Sequence, residues 1–140
     1  MKKFSLSKNE KIKEKRIFEK LFKSGKTILS ENKSLNVVYL LEKSDDFCVK
    51  VAVSISKKFG NSVWRNRLKR LIRNAYRLNK LDILEIARTR KMSVYLLFSS
   101  ISINKKNSPK LTYKEIEIQV ISLLQRLKNK IESIIENKNL

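Results

Sequence analysis

Histidine is absent from this chain of 140 residues, cysteine and proline occur once each, and glycine occurs twice. Without histidine the commonest general base is missing. The one cysteine, Cys48, has no partner for an internal disulfide and no Cys/His cluster to join around zinc. It stands in an apolar run, where a thiol is more often a small buried residue than a nucleophile. With so little glycine and proline to punctuate the chain, its elements are read from periodicity and caps. No apolar run reaches the roughly 18 residues of a membrane span. The N-terminal MKKFSLSKNEKIKEK also lacks the apolar stretch of a signal peptide. A cytoplasmic location with no membrane partner is the expectation. Acid is scarce as well: 13 Asp and Glu face 33 Lys and Arg, a net charge of +20. Asp45 and Asp46 fall in a polar stretch and read as turn formers rather than a metal site.

What remains is 41% hydrophobic, enough to bury one core, so residues 1–140 are read as one domain. The basic residues are not scattered evenly. Five of the nine arginines lie between Arg65 and Arg77. At about 100° per residue, Arg65, Lys69, Arg73, Arg77 and Arg70 span about 0° to 140°, with Arg67 near 200°. Leu78, Leu71, Trp64, Ala75, Leu68 and Ile72 occupy about 220° to 340° on the same wheel. One face packs while the other offers guanidinium groups, whose planar fork suits phosphate. A basic helix face is often only solvated surface. The concentration of arginine here, against its scarcity elsewhere, favours a nucleic-acid interface.

Around this helix, which opens near Gly60-Asn61-Ser62 and fades near Asn79, the pattern is mixed. A capping box at Ser7 to Glu10 suggests a first helix ending near Gly25, with Ile12, Phe18, Leu21 and Phe22 as its apolar stripe. Leu35 to Glu42 and Phe47 to Ser56 read as strands joined by the turn Lys43 to Asp46. In the second, Val49, Val51, Val53 and Ile55 alternate with Lys50, Ala52, Ser54 and Ser56, the period of a half-buried strand. Met92 to Ser99 reads as another strand, and a short helix fits Leu81 to Arg88. After a polar loop, Thr112 and Glu115 cap a last helix with Ile116, Val120, Leu123, Leu124, Leu127, Ile131 and Ile134 at core spacing. The fold class is α+β in the order α-β-β-α-β-α, with room for a further strand before the basic helix.

The string Ser54-Ile55-Ser56-Lys57-Lys58-Phe59-Gly60-Asn61-Ser62-Val63, followed by Arg65-Asn66-Arg67-Leu68-Lys69-Arg70, closely resembles the signature of the protein subunit of bacterial ribonuclease P. The likeness extends to Phe18 and Phe22 ahead of Lys23-Ser24-Gly25, to Val37-Val38-Tyr39, and to Leu111-Thr112-Tyr113-Lys114-Glu115. The sequence departs from the family at Asn36, where an aromatic is usual, at Ala52, where glycine is usual, and at Phe98-Ser99.

The resemblance implies a small α/β sandwich similar to domain two of a ribosomal protein, with a left-handed strand-helix-strand crossover. It implies a cofactor to a catalytic RNA that removes the 5′ leader of precursor tRNA. The Mg²⁺ ions belong to that RNA, the protein holds no cofactor and no catalytic residue, and no obligate protein partner is implied. Lys57, Lys58, Asn61, Arg65, Asn66, Arg67, Lys69, Arg70 and Arg73 are the expected ribozyme contacts. Phe18, Phe22, Val37, Tyr39, Ser54 and Ser56 are the expected cleft for the leader. A ribosomal or chaperone type of RNA-binding protein, without a tRNA-processing role, is the alternative.

Overall fold

The computed structural model describes residues 8–138. Four helices, α1 (Lys15–Ser24), α2 (Ser62–Asn79), α3 (Leu81–Arg90) and α4 (Tyr113–Lys138), accompany four strands, β1 (Lys26–Leu29), β2 (Leu35–Lys43), β3 (Cys48–Val53) and β4 (Met92–Ser100). They form a mixed α+β single domain.

The strands lie in the order β1-β2-β4-β3. β4 occupies the interior, antiparallel to β2 with Leu35 opposite Ser100, and parallel to β3 with Val53 opposite Phe98. Parallel neighbours need a crossover, and α2 and α3 supply it. The turn at 43–46 forms as expected, with the Ser44 Oγ donating to the Asp46 carbonyl at 2.9 Å. Its two strands are nevertheless not neighbours. The Ser44 N–H donates instead to the Lys91 carbonyl at 2.9 Å, so the chain steps across the start of β4. The further strand proves to be β1, which precedes β2.

The sheet buries both faces unequally. Leu35, Val37 and Tyr39 of β2, Val49 and Val51 of β3, and Val94, Leu96 and Phe98 of β4 pack against α2, α3 and α4. The opposite face, carrying Val38, Leu40, Ala52, Tyr95 and Leu97, packs on α1 through Ile17, Phe18 and Leu21. α4 follows its core spacing, with Ile116, Val120, Leu123, Leu124, Leu127 and Ile131 all buried. Gly25 sets how α1 meets β2. A Cβ there would lie 2.4 Å from the Leu21 carbonyl oxygen and 2.5 Å from Val38 Cγ1, a close approach that only glycine allows.

The first helix begins later than its capping box suggests. Ser7 lies outside the described residues, Lys8–Glu10 make a single 3₁₀ turn, and α1 starts at Lys15. Between them the Ile12 N–H donates to the Val51 carbonyl at 3.0 Å, and Lys11 bridges Val51 in parallel. An open strand edge is costly to leave unpaired, and this segment covers that of β3. The 3₁₀ turn is anchored by Glu10, whose carboxylate lies 2.8 Å from the ammonium of Lys80, 2% exposed at the α2–α3 junction.

Candidate nucleic-acid interface

The basic helix is held at its start by a run of local constraints. Asn61 is the N-cap, its Oδ1 accepting from the Trp64 N–H at 2.9 Å. The Trp64 ring lies so near Gly60 that a Cβ there would fall 2.6 Å from it. The Trp64 indole donates to the Ser108 carbonyl at 2.9 Å, and the Lys105 N–H donates to the Phe59 carbonyl at 2.7 Å. The loop after β4 therefore clamps the entry to α2. Trp64, Leu68, Ile72 and Ala75 are buried, as the wheel requires; Tyr76 is buried too although it falls near about 20°, within the cationic arc, and Leu78 is exposed.

The opposite side carries the cations. Asn66, Arg67, Arg70 and Arg73 are exposed, and Arg65 and Lys69 are half-buried. The Arg65 Nε donates to the Gly60 carbonyl at 3.0 Å, which fixes the stem. None of Arg65, Arg67, Lys69, Arg70 or Arg73 has a carboxylate partner among the described residues. Lys57 and Lys58 are exposed just ahead of the helix, with the Lys58 ammonium 5.3 Å from the Phe59 ring centroid. The Asn61 side-chain oxygen caps the helix, and its amide nitrogen is the group left for a ligand.

The aromatic cleft needs a correction. Val37 and Tyr39 are 1% and 3% exposed and lie in the core under α2 and α4, on the far face of the sheet from Phe18. Successive residues of a strand point to opposite faces, so the β2 side chains beside Phe18 are Val38 and Leu40. Phe22 is 75% exposed one turn beyond Phe18. Ser54 and Ser56 are exposed beyond the end of β3, and the Ser56 Oγ accepts from the Lys58 N–H. An open groove of about 400 Å³ runs between α1 and the β3 edge, lined by Lys11, Lys13, Phe18, Ala52, Val53 and Arg73 among others. It joins the cationic face of α2 to a half-buried aromatic ring.

Lys11 and Lys13 were missed by sequence reasoning. Two of the departures from the family pattern meet each other: Asn36 and Ser99 are register partners, and the Ser99 hydroxyl donates to the Asn36 side-chain oxygen. Among the described residues no three His, Cys, Asp or Glu side chains gather as metal ligands, and no helix is long and apolar enough to cross a membrane.

Comparison with known proteins gives one consistent result. The sequence model of the family described as Ribonuclease P matches residues 6–128. The ribonuclease P protein component of Clostridium novyi is 36% identical over 122 residues, covering 86% of this chain and 96% of that protein. That of Finegoldia magna is 33% identical, with 89% and 96% covered. The RNase P protein of Staphylococcus aureus has a similar fold, at a TM-score of 0.61 and 23% identity over 86% of this chain and 97% of the other. The protein from Thermotoga maritima is similar too, at a TM-score of 0.61 and 21% identity over 84% and 96%. With a family match across most of its length, and with the Arg-Asn-Arg helix presented as described, the chain belongs to the ribonuclease P protein component family and is a subunit of that tRNA-processing ribonucleoprotein.

Proposed function

We propose that the chain binds the catalytic RNA of ribonuclease P through the cationic face of α2 and the 5′ leader of precursor tRNA through the groove beside α1. The observation that carries this reading is the row of five α2 cations without carboxylate partners. Cations clustered this closely repel one another, and a polyanion relieves that repulsion while its counterions are released. Arg67, Arg70 and Arg73 are spaced to follow a phosphate backbone, with Asn66, Lys57 and Lys58 beside them. The α2 N-terminus adds backbone N–H groups for a further phosphate.

The leader, being single-stranded, offers base faces rather than a helix. Phe18 and the exposed Phe22 provide rings at successive turns of α1, each worth about 1–3 kcal/mol when a base stacks on it. Lys11, Lys13 and Arg73 border the same groove and suit the intervening phosphates. The Mg²⁺ ions that activate water are assigned to the RNA, and the protein's work is to bind, neutralise and orient.

The test is reconstitution of the purified chain with a bacterial ribonuclease P RNA at low Mg²⁺. Chain plus RNA is expected to cleave precursor tRNA at a Mg²⁺ concentration where the RNA alone is slow, and the chain alone is expected to leave it intact. Cleavage by rigorously RNA-free protein would overturn the division of labour.

A further inference from the structure

A second cavity shares no lining residue with the groove. It lies where the first turns of α4 meet the loop after β4 and the turn before β2, lined by Ser34, Ile103, Ser108, Glu115, Ile118 and Gln119 among others. Three features set it apart from a crevice that only holds solvent. The Ser34 Oγ is buried and has no hydrogen-bond partner. Glu115, in a chain of net charge +20, has no Lys or Arg partner among the described residues. Gln119 is 8% exposed, and its Oε1 accepts from the Asn32 N–H at 3.2 Å, which fixes the amide and leaves Nε2 as an unused donor.

Glu115 and Gln119 stand one turn apart on α4 and so face the same space. Together they present a two-oxygen acceptor beside an N–H donor. Cytosine and adenine each offer a carboxylate one amino group. Guanine offers two adjacent donors, N1–H and N2–H, next to an acceptor, O6. Ile103 and Ile118 supply apolar surface for the base faces. Exposed Lys105, Lys106 and Lys110 on the same loop are placed to take a phosphate. A bare phosphate would be repelled by Glu115, so the base edge is what the carboxylate selects.

We propose that this cavity is a guanine site, in which the Watson–Crick edge of an unpaired guanine donates from N1 and N2 to Glu115 and accepts at O6 from Gln119. Unstacked bases are commonly read in this way, by edge hydrogen bonds and side-chain stacking. The base could arrive on a free guanine nucleotide or on an unpaired residue of RNA.

Two titrations of the purified full chain separate these sources. One compares GMP with AMP, and the other compares the single strands UUGUU and UUAUU. A bidentate base contact gives a preference of about 10-fold or more, and the Glu115→Gln variant, which replaces an acceptor oxygen by a donor at an exposed position, is expected to remove it. Preference in both titrations means a site open to free nucleotide, and preference in the second alone means an RNA-borne guanine. Equal affinities in both titrations, or a guanine preference that Glu115→Gln leaves intact, overturn the proposal. Gln119→Leu, which removes the donor to O6, gives a second check by the same ratio. Low-Mg²⁺ cleavage measured in parallel keeps this result separate from the RNA-binding reading of α2.

Discussion

Tyr39 tells a core ring from a leader-stacking ring. Its side chain is 3% exposed under the helices, its hydroxyl has no hydrogen-bond partner, and burial raises its pKa above 10.0. A buried hydroxyl left unsatisfied costs about 1–3 kcal/mol. Tyr39→Phe keeps the ring and removes that cost, so the variant is expected to be more stable by about 1 kcal/mol, at the lower end of that range. For a domain of this size that is a rise in Tm of about 2–8 °C. Tyr39→Ala removes the ring as well, with a loss of about 3–5 kcal/mol typical of an emptied aromatic site. That is a large part of a total stability of about 5–15 kcal/mol. The assay pairs a thermal melt of each variant with the affinities of the reconstituted holoenzyme for precursor and mature tRNA. Tyr39→Phe is expected to raise Tm and leave the affinity ratio unchanged. A lower Tm for Tyr39→Phe, or an Ala variant that melts normally but loses its preference for precursor, would refute the burial argument and return Tyr39 to the leader site.

Arg67→Ala removes an exposed cation with no partner in the fold, so stability should change by no more than about 0.5 kcal/mol. The salt dependence of RNA binding should become shallower by about one unit of slope, and an unchanged slope would make Arg67 a bystander. Alkaline pH should destabilise the fold through its tyrosines: burial pushes Tyr76 well above its ordinary value, and burial with donation to Glu117 takes Tyr113 up to about 12. In the unfolded chain these groups ionise near pH 10, so their contribution is intact below that pH and is lost as pH rises toward the folded values. Urea unfolding at pH 9 and pH 11 checks this, since Tyr76→Phe should show a shallower decline than the wild type, and identical declines would exclude Tyr76 as a source.

Much of the interface was legible because a helix encodes its two faces at a fixed angle. Asn61, Trp64, Leu68, Ile72 and Ala75 take the positions that capping and periodicity assign them, with the cations opposite. The sheet was harder to read. β2 is apolar on both faces, Val37 and Tyr39 on one and Val38 and Leu40 on the other, so alternation alone does not say which set meets α1. β1 has four residues, Lys26–Leu29, too few for a periodic signal. The position of β4 between β2 and β3 is a tertiary choice. The turn at 43–46 looks the same whether its strands pair or stand apart. The groove depends on Lys11 and Lys13 lying in an extended segment against β3, which the capping pattern of the first ten residues disguises.

The late position of β4 sets an order on synthesis. Until residue 100 has been made, β3 has no strand beside it and the sheet is only the β1–β2 pair. The arginine-bearing α2 is complete by Asn79, yet α4, which covers its apolar side, comes last in the chain. A growing or prematurely ended chain therefore presents Leu68 and Ile72 to solvent next to a strongly cationic face, with no sheet to hold that face in place. Such a fragment keeps its charge but lacks the fixed spacing of its guanidinium groups. The topology thus makes α4 a condition for a rigidly held cationic face, and a chain that stops before α4 is expected to assemble less well with RNA than the full chain.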